Sequence, residues 1–191
     1  MSSWLFSDSL VGIRFFPALT GALTLLLTGL IVRQLGGGRF AQVLAAVAYL
    51  FSPVYLHINL LFQPVTFDLF YFVLGTYLLI KILKEEVEPK LWILLGVVAG
   101  LGLLNKYTML LFGFGVAVGL LLTPNRSFYR SKWLWLSALI ALIIFLPNLL
   151  WQHNQAWPLL EHMRVLRETQ LSNVEPIMFL LTQIFMNLYA T

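Results

Sequence analysis

Residues 51–72 read FSPVYLHINLLFQPVTFDLFYF, and this stretch decides how the rest of the chain is read. It is apolar enough for a bilayer, yet it carries His57, Asn59, Gln63 and the carboxylate Asp68. Pro53 and Pro64 bracket the polar residues. Pro64 lacks a backbone donor and disfavours helix at Gln63, so the spacing predicts a break there and a new helix before Asp68. An ionised Asp at the centre of a bilayer costs roughly 2.5–3.5 kcal/mol on insertion scales, so such a residue faces a polar cavity or a partner. The plainer reading places Asp68 near a first helical turn, where the helix dipole stabilises it.

Composition supports a membrane setting. Hydrophobic residues make up 60% of the chain and charged residues 10%, with a mean hydropathy of +0.86. That excludes a soluble domain. With no cysteine present, disulfides, thiolate catalysis and cysteine-ligated metals are excluded as well. The net charge of +4 resides mainly in turns between apolar runs, which makes it a topology signal and argues against nucleic acid as a partner.

Residues 1–14 lack the basic start and small-residue cleavage site of a secretory signal. Apolar runs follow at about 15–32, 41–56, 66–83, 91–104, 108–122, 133–150 and 177–189, the last barely long enough to cross a core of roughly 30 Å. The expectation is an all-α, polytopic transmembrane bundle of six to seven spans. Pro17 falls in the first turn of the first run, and Pro147 predicts a kink or stop near the end of the sixth. Gly96 and Gly100 form a G-x-x-x-G that permits close helix packing. Arg33, Arg39, Lys81, Lys84, Lys90, Arg126, Arg130 and Lys132 lie in turns on one side, against Arg14, Lys106, Arg164 and Arg167 on the other. That asymmetry makes the first side cytoplasmic and puts Asp68, Lys106 and residues 151–176 outside.

Lys106 is the natural companion of Asp68, because both stand at outer ends of apolar runs and can share a cavity. An ammonium there suits a phosphate; the alternative is a lysine whose stem lies in lipid while its head reaches the interface. Neighbouring polar residues that can meet a substrate are His57, Gln63, Asn105 and Tyr107. In WQHNQAWPLLEHMRVLRETQ, the rings of Trp151, His153 and Trp157 offer stacking and hydrogen-bonding surfaces for a sugar. The second half of that segment also reads as an amphipathic helix on the membrane surface. A zinc site from His57, His153 and His162 would require convergence that spacing does not demonstrate. No cofactor is expected, and a role for a metal stays open.

The run DSLVGIRFFPALTGALTLLLTGLIVRQLGGGRFAQVLAAVAYLFSPVY, followed by FQPVTFDLFYF, GLGLLNKYTMLLF and PNLLWQHNQAW, resembles polytopic glycosyltransferases of the GT-C fold. The resemblance is to the family 39-like group of dolichyl-phosphate-mannose-protein mannosyltransferases and aminoarabinose transferases. It implies a polyprenyl-phosphate-sugar donor, a lipid or protein acceptor and an active outer face of a bacterial-type plasma membrane. It also implies that Asp68 is the catalytic carboxylate on this chain and that Lys106 lies at the donor phosphate. The family's principal carboxylate precedes the part matched here, so the resemblance implies that residues 1–191 are one transmembrane domain of a longer enzyme. Such a piece, lacking the first outer loop and the C-terminal region, would be inactive alone.

Two other function classes compete with this reading. One is a transporter or channel subunit using an Asp68/Lys106 pair, and the other is a non-catalytic lipid-binding subunit. Against the transporter, both residues fall at one face and no inverted repeat is evident.

The basic asymmetry sets one test. Cysteines introduced at Asn125 and Asn154 are expected to label from opposite faces of intact cells, with Asn154 reached from outside. Labelling of both from one side would overturn the orientation.

Overall fold

A computed structural model describes residues 10–60, 62–84, 88–169, 175 and 177–182, with side chains from residue 13 onward. Within these residues the chain is helical and contains no strand. Its helices are α1 (Leu10–Gln34), α2 (Arg39–Phe51), α3 (Pro53–Leu60), α4 (Pro64–Lys84), α5 (Pro89–Asn105), α6 (Met109–Leu122), α7 (Lys132–Asn154) and α8 (Pro158–Thr169). A short 3-10 helix, Pro124–Arg130, follows α6. Residues 177–182 are helical too, and the remainder of the seventh apolar run lies outside the described residues.

Proline sets most of the boundaries. Five of the eight prolines stand first in a helix: Pro53, Pro64, Pro89, Pro124 and Pro158. The missing N–H costs nothing at that position, and the fixed φ already suits a helix. Gly36 closes α1 with φ +92°, and the Gly37 N–H donates to the Val32 carbonyl at 2.8 Å. A left-handed glycine after the last helical residue is what lets α1 reverse so sharply into α2.

Pro17 departs from expectation, and α7 does not stop at Pro147. Both lie inside continuous helices, α1 and α7. The first helix begins upstream of Arg14, so Pro17 is well past its first turn, and α7 runs on through Pro147 to Asn154. Local adjustment in a membrane helix accommodates the lost hydrogen bond.

Two compact units make up the chain, Met1–Phe145 and Leu146–Thr191. In the first, α4 packs along α1 and α5, and α1 also packs on α2. Its core joins Leu78 and Ile82 of α4 to Leu91, Trp92, Leu95 and Val98 of α5, with Met109 at the start of α6. Trp92 is fully buried and its ring meets Phe128 at 5.6 Å. The two glycines of the G-x-x-x-G face α7: a Cβ on Gly96 would stand 2.5 Å from the Ser137 carbonyl oxygen, and one on Gly100 would stand 2.8 Å from Ile144.

Ile13–Gln34, Pro64–Lys84 and Lys132–Asn154 are long and apolar enough to cross a membrane. The count rises to five if two bent pairs, α2 with α3 (62°) and α6 with the 3-10 helix (113°), are each one span. Among the described residues, the six or seven spans read from the sequence are therefore not confirmed. The difference is one of length. At 1.5 Å per residue, α5 with its 17 residues extends only about 25 Å, and α6 is shorter still.

The close approach at Gly96 generates a stability test. Gly96→Ala would press a methyl onto backbone that cannot move away, and overpacking of this kind costs about 1–3 kcal/mol. Gly113 has open space around its Cβ direction, so Gly113→Ala should be neutral or gain up to about 1 kcal/mol of helix propensity. Thermal unfolding in detergent micelles compares the two, and identical unfolding temperatures would reject tight α5–α7 packing.

Candidate functional site

The site is built where two helix breaks meet. One is the break before Pro64, where α4 starts. Across it, the buried Thr66 hydroxyl donates to the Ile58 carbonyl of α3 at 2.8 Å, which fixes the angle of re-entry. The other break separates α5 from α6. Lys106 leaves helical geometry for an extended one (φ −157°, ψ 136°), and its N–H closes α5 on the Gly102 carbonyl at 2.8 Å.

Three residues of the second break reach the start of α4. The Asn105 side-chain amide donates to the Pro64 carbonyl at 2.9 Å. Lys106 Nζ lies 3.8 Å from Asp68 Oδ2. The Thr108 hydroxyl is 2.8 Å from both Asp68 oxygens and donates to the carboxylate. The Asp68 carboxylate is thus held by a hydroxyl and an ammonium, beyond anything the helix dipole supplies.

Exposure is unequal within the pair. The Asp68 side chain is 13% exposed and that of Lys106 39%. At 3.8 Å the charges attract, but the separation is longer than a good hydrogen bond. An ammonium has three donors, so Lys106 can turn toward a second anion without leaving Asp68 bare.

Asn105, Lys106 and Asp68 are therefore brought together as the sequence suggests. Thr108 was not singled out by the sequence reading. The signal for it was a hydroxyl two residues beyond Lys106, the one charged residue between the fourth and fifth apolar runs. The other candidates take separate places. His57 is exposed on α3, and among the described residues no hydrogen bond or ion pair joins it to Asp68 or Lys106. Gln63 is half-buried, and its carbonyl accepts the Thr66 N–H at 3.2 Å. Tyr107 sets its ring edge-on to Phe145 at 5.6 Å. Nearby on α3, the Asn59 amide donates to the Tyr49 hydroxyl at 3.3 Å, and Tyr49 stacks on Tyr55 at 4.6 Å.

Trp151, His153 and Trp157 belong to the second unit. His153 and Trp157 meet edge to face at 6.3 Å, and Trp151 and Trp157 keep exposed ring faces. The turn between α7 and α8 holds Ala156 and Trp157 at φ +56° and +60°. A bulky residue there is strained backbone. Gln152 braces the turn: its carbonyl accepts the Trp157 N–H at 2.8 Å, and its Oε1 accepts the Leu159 N–H at 3.3 Å. Among the described residues no three His, Asp or Glu side chains gather around a metal-sized space.

Residues 1–151 match the family model described as dolichyl-phosphate-mannose-protein mannosyltransferase. No curated protein and no solved structure gives a match.

The geometry ranks two substitutions by stability. A hydrogen bond to a charged group is worth about 1.5–3 kcal/mol, whereas a part-exposed ion pair is worth roughly 0–1 kcal/mol. Thr108→Val should therefore lower the unfolding temperature in micelles more than Lys106→Ala does. The reverse order would show that Thr108 does not hold the carboxylate.

Proposed function

The chain belongs to the dolichyl-phosphate-mannose-protein mannosyltransferase family, and on that premise we propose that it moves a sugar from a polyprenyl-phosphate carrier to a lipid or protein acceptor at the outer face of the membrane. Membership makes it a membrane glycosyltransferase in general terms. The observation that carries the finer reading is the accessible ammonium of Lys106 beside a carboxylate that Thr108 already holds.

In this reading an acceptor hydroxyl oxygen bonds to the anomeric carbon as the carbon–oxygen bond to the phosphate breaks. The acceptor proton passes to a base, and the carrier phosphate departs with the bonding electrons. Lys106 stabilises the negative charge that grows on the phosphate oxygen, the point at which a preorganised cation contributes most. Asp68, its oxygens engaged by Thr108, orients Lys106 or the sugar. Asn105 fixes the strand between the helices so that Lys106 is presented at one height. We assign His57, Gln63 and Tyr107 to the margin of the donor site. The exposed rings of Trp151, His153 and Trp157 offer faces suited to sugar stacking.

Lys106→Ala tests the reading in membranes at matched expression, with a polyprenyl-phosphate sugar as donor. Turnover should fall about 10²–10³-fold, or roughly 2.7–4 kcal/mol. Lys106→Arg should restore only part, because a planar fork replaces a compact ammonium. Wild-type turnover in Lys106→Ala would reduce Lys106 to an interfacial anchor.

A further inference from the structure

Away from the Asp68–Lys106 junction, α4 and α6 enclose a groove of about 390 Å³. The two helices meet at Gly75, where a Cβ would come within 2.9 Å of Phe112, and Phe72 meets Phe112 at 5.6 Å. Leu79 and Leu83 of α4 line the groove with Phe112, Val116 and Leu120 of α6. Gly115 and Gly119 line it too, with nothing near their Cβ directions. Thr123 and Asn125 complete the lining.

Its walls are apolar and its mouth is not. At Thr123 the chain turns by 113° into the 3-10 helix, which carries Asn125, Arg126 and Arg130. Both arginines are exposed, and among the described residues neither has an acidic partner. Lys132 follows, resting on the Trp133 ring at 5.0 Å. This is also the end of the molecule that the distribution of Lys and Arg assigns to the cytoplasm.

We propose that this groove holds one acyl chain of an anionic glycerophospholipid from the cytoplasmic leaflet, with its phosphate at Asn125 and Arg126. The shape favours a chain over a helix. With side chains, a helix is about 10–12 Å across, too thick to enter between two helices that touch at Gly75. Charge favours an anionic headgroup, since each basic residue near the leaflet surface contributes about 1 kcal/mol of attraction. The acyl chain replaces side-chain packing that the glycines leave out, and it braces α6 against α4 along the groove. None of this depends on the glycosyl-transfer chemistry.

The test uses the full chain in detergent with added dioleoyl phosphatidylglycerol or dioleoyl phosphatidylcholine. Bound lipid is counted by native mass spectrometry and thermal unfolding is followed in parallel. Phosphatidylglycerol should be retained at one molecule per chain and raise the unfolding temperature, with phosphatidylcholine at least about fivefold weaker. Gly119→Leu puts a side chain into the groove from a position with open space around its Cβ and should abolish retention. Gly113→Leu, on the same helix but outside the groove, should keep it. Arg126→Gln should weaken phosphatidylglycerol about fivefold and leave phosphatidylcholine unchanged. Equal retention of both lipids, or undiminished retention in Gly119→Leu, would overturn the proposal. So would displacement of the phospholipid by a polyprenyl phosphate at lower concentration, or a loss of dimers in Gly119→Leu, because the occupant would then be a carrier or a second helix.

Discussion

An ionised carboxylate on a membrane helix must be answered by other polar groups, and Asp68 sets that demand for the whole first unit. Its partners come from a segment forty residues away, the junction of α5 and α6. To deliver Thr108 and Lys106 to one carboxylate, α5 must stop at Asn105 and α6 must restart almost at once. The Asn105 amide then takes the Pro64 carbonyl at the same junction. At its other end α4 is held as well, since Lys84 donates to the Gln34 carbonyl at the close of α1. One helix is thus pinned at both ends by polar contacts, and its apolar side chains pack between those two fixed points.

Between the pins, the packing follows from the lack of a hydrophobic drive between helices in lipid. What remains is close contact of backbones. Gly96 and Gly100 let α5 approach α7 so closely that an added methyl at either position would collide. On α1 the same end is served by threonine. Thr20, Thr24 and Thr28 each donate to the carbonyl four residues earlier. Their hydroxyls are satisfied within the helix, and their small side chains remain for packing. Many large apolar side chains stay exposed, among them Phe40, Leu111 and Phe114, as expected of surfaces that meet lipid.

How far the sequence disclosed this arrangement depended on whether the physics was local. The break at Pro64 was legible because proline restricts its own φ and the residue before it. The meeting of Asp68 with Lys106 was legible because two lone charges in apolar sequence have few other ways to be satisfied. Thr108 was not, since a threonine at the start of an apolar run reads equally well as a cap. Pro17 misled for a related reason: the cost of a missing N–H is local, but neighbouring groups can absorb it and let the helix continue. The number of spans is not confirmed at six or seven, because apolar runs show composition without length, and α5 and α6 are shortened by the very break that serves Asp68. The groove between α4 and α6 was illegible altogether. It arises between two helices not adjacent in sequence, and no periodicity within either one records that.

The unequal burial of Asp68 and Lys106 reconciles a stable junction with a reactive one. Had Lys106 been the main partner of Asp68, drawing its ammonium toward a phosphate would strand a carboxylate with 13% exposure. Removing one partner from a buried pair of that kind costs about 3–5 kcal/mol. Thr108 changes this balance. Its hydroxyl holds the carboxylate whether or not the lysine is close, and at 3.8 Å the ion pair itself is weak. A part-exposed pair contributes at most about 1 kcal/mol, which the charge that grows on a departing phosphate can exceed. The junction therefore keeps its shape through a neutral donor and leaves its cation free to move. That separation of tasks suits the leaving-group role proposed for Lys106, with Thr108 acting through its hold on Asp68.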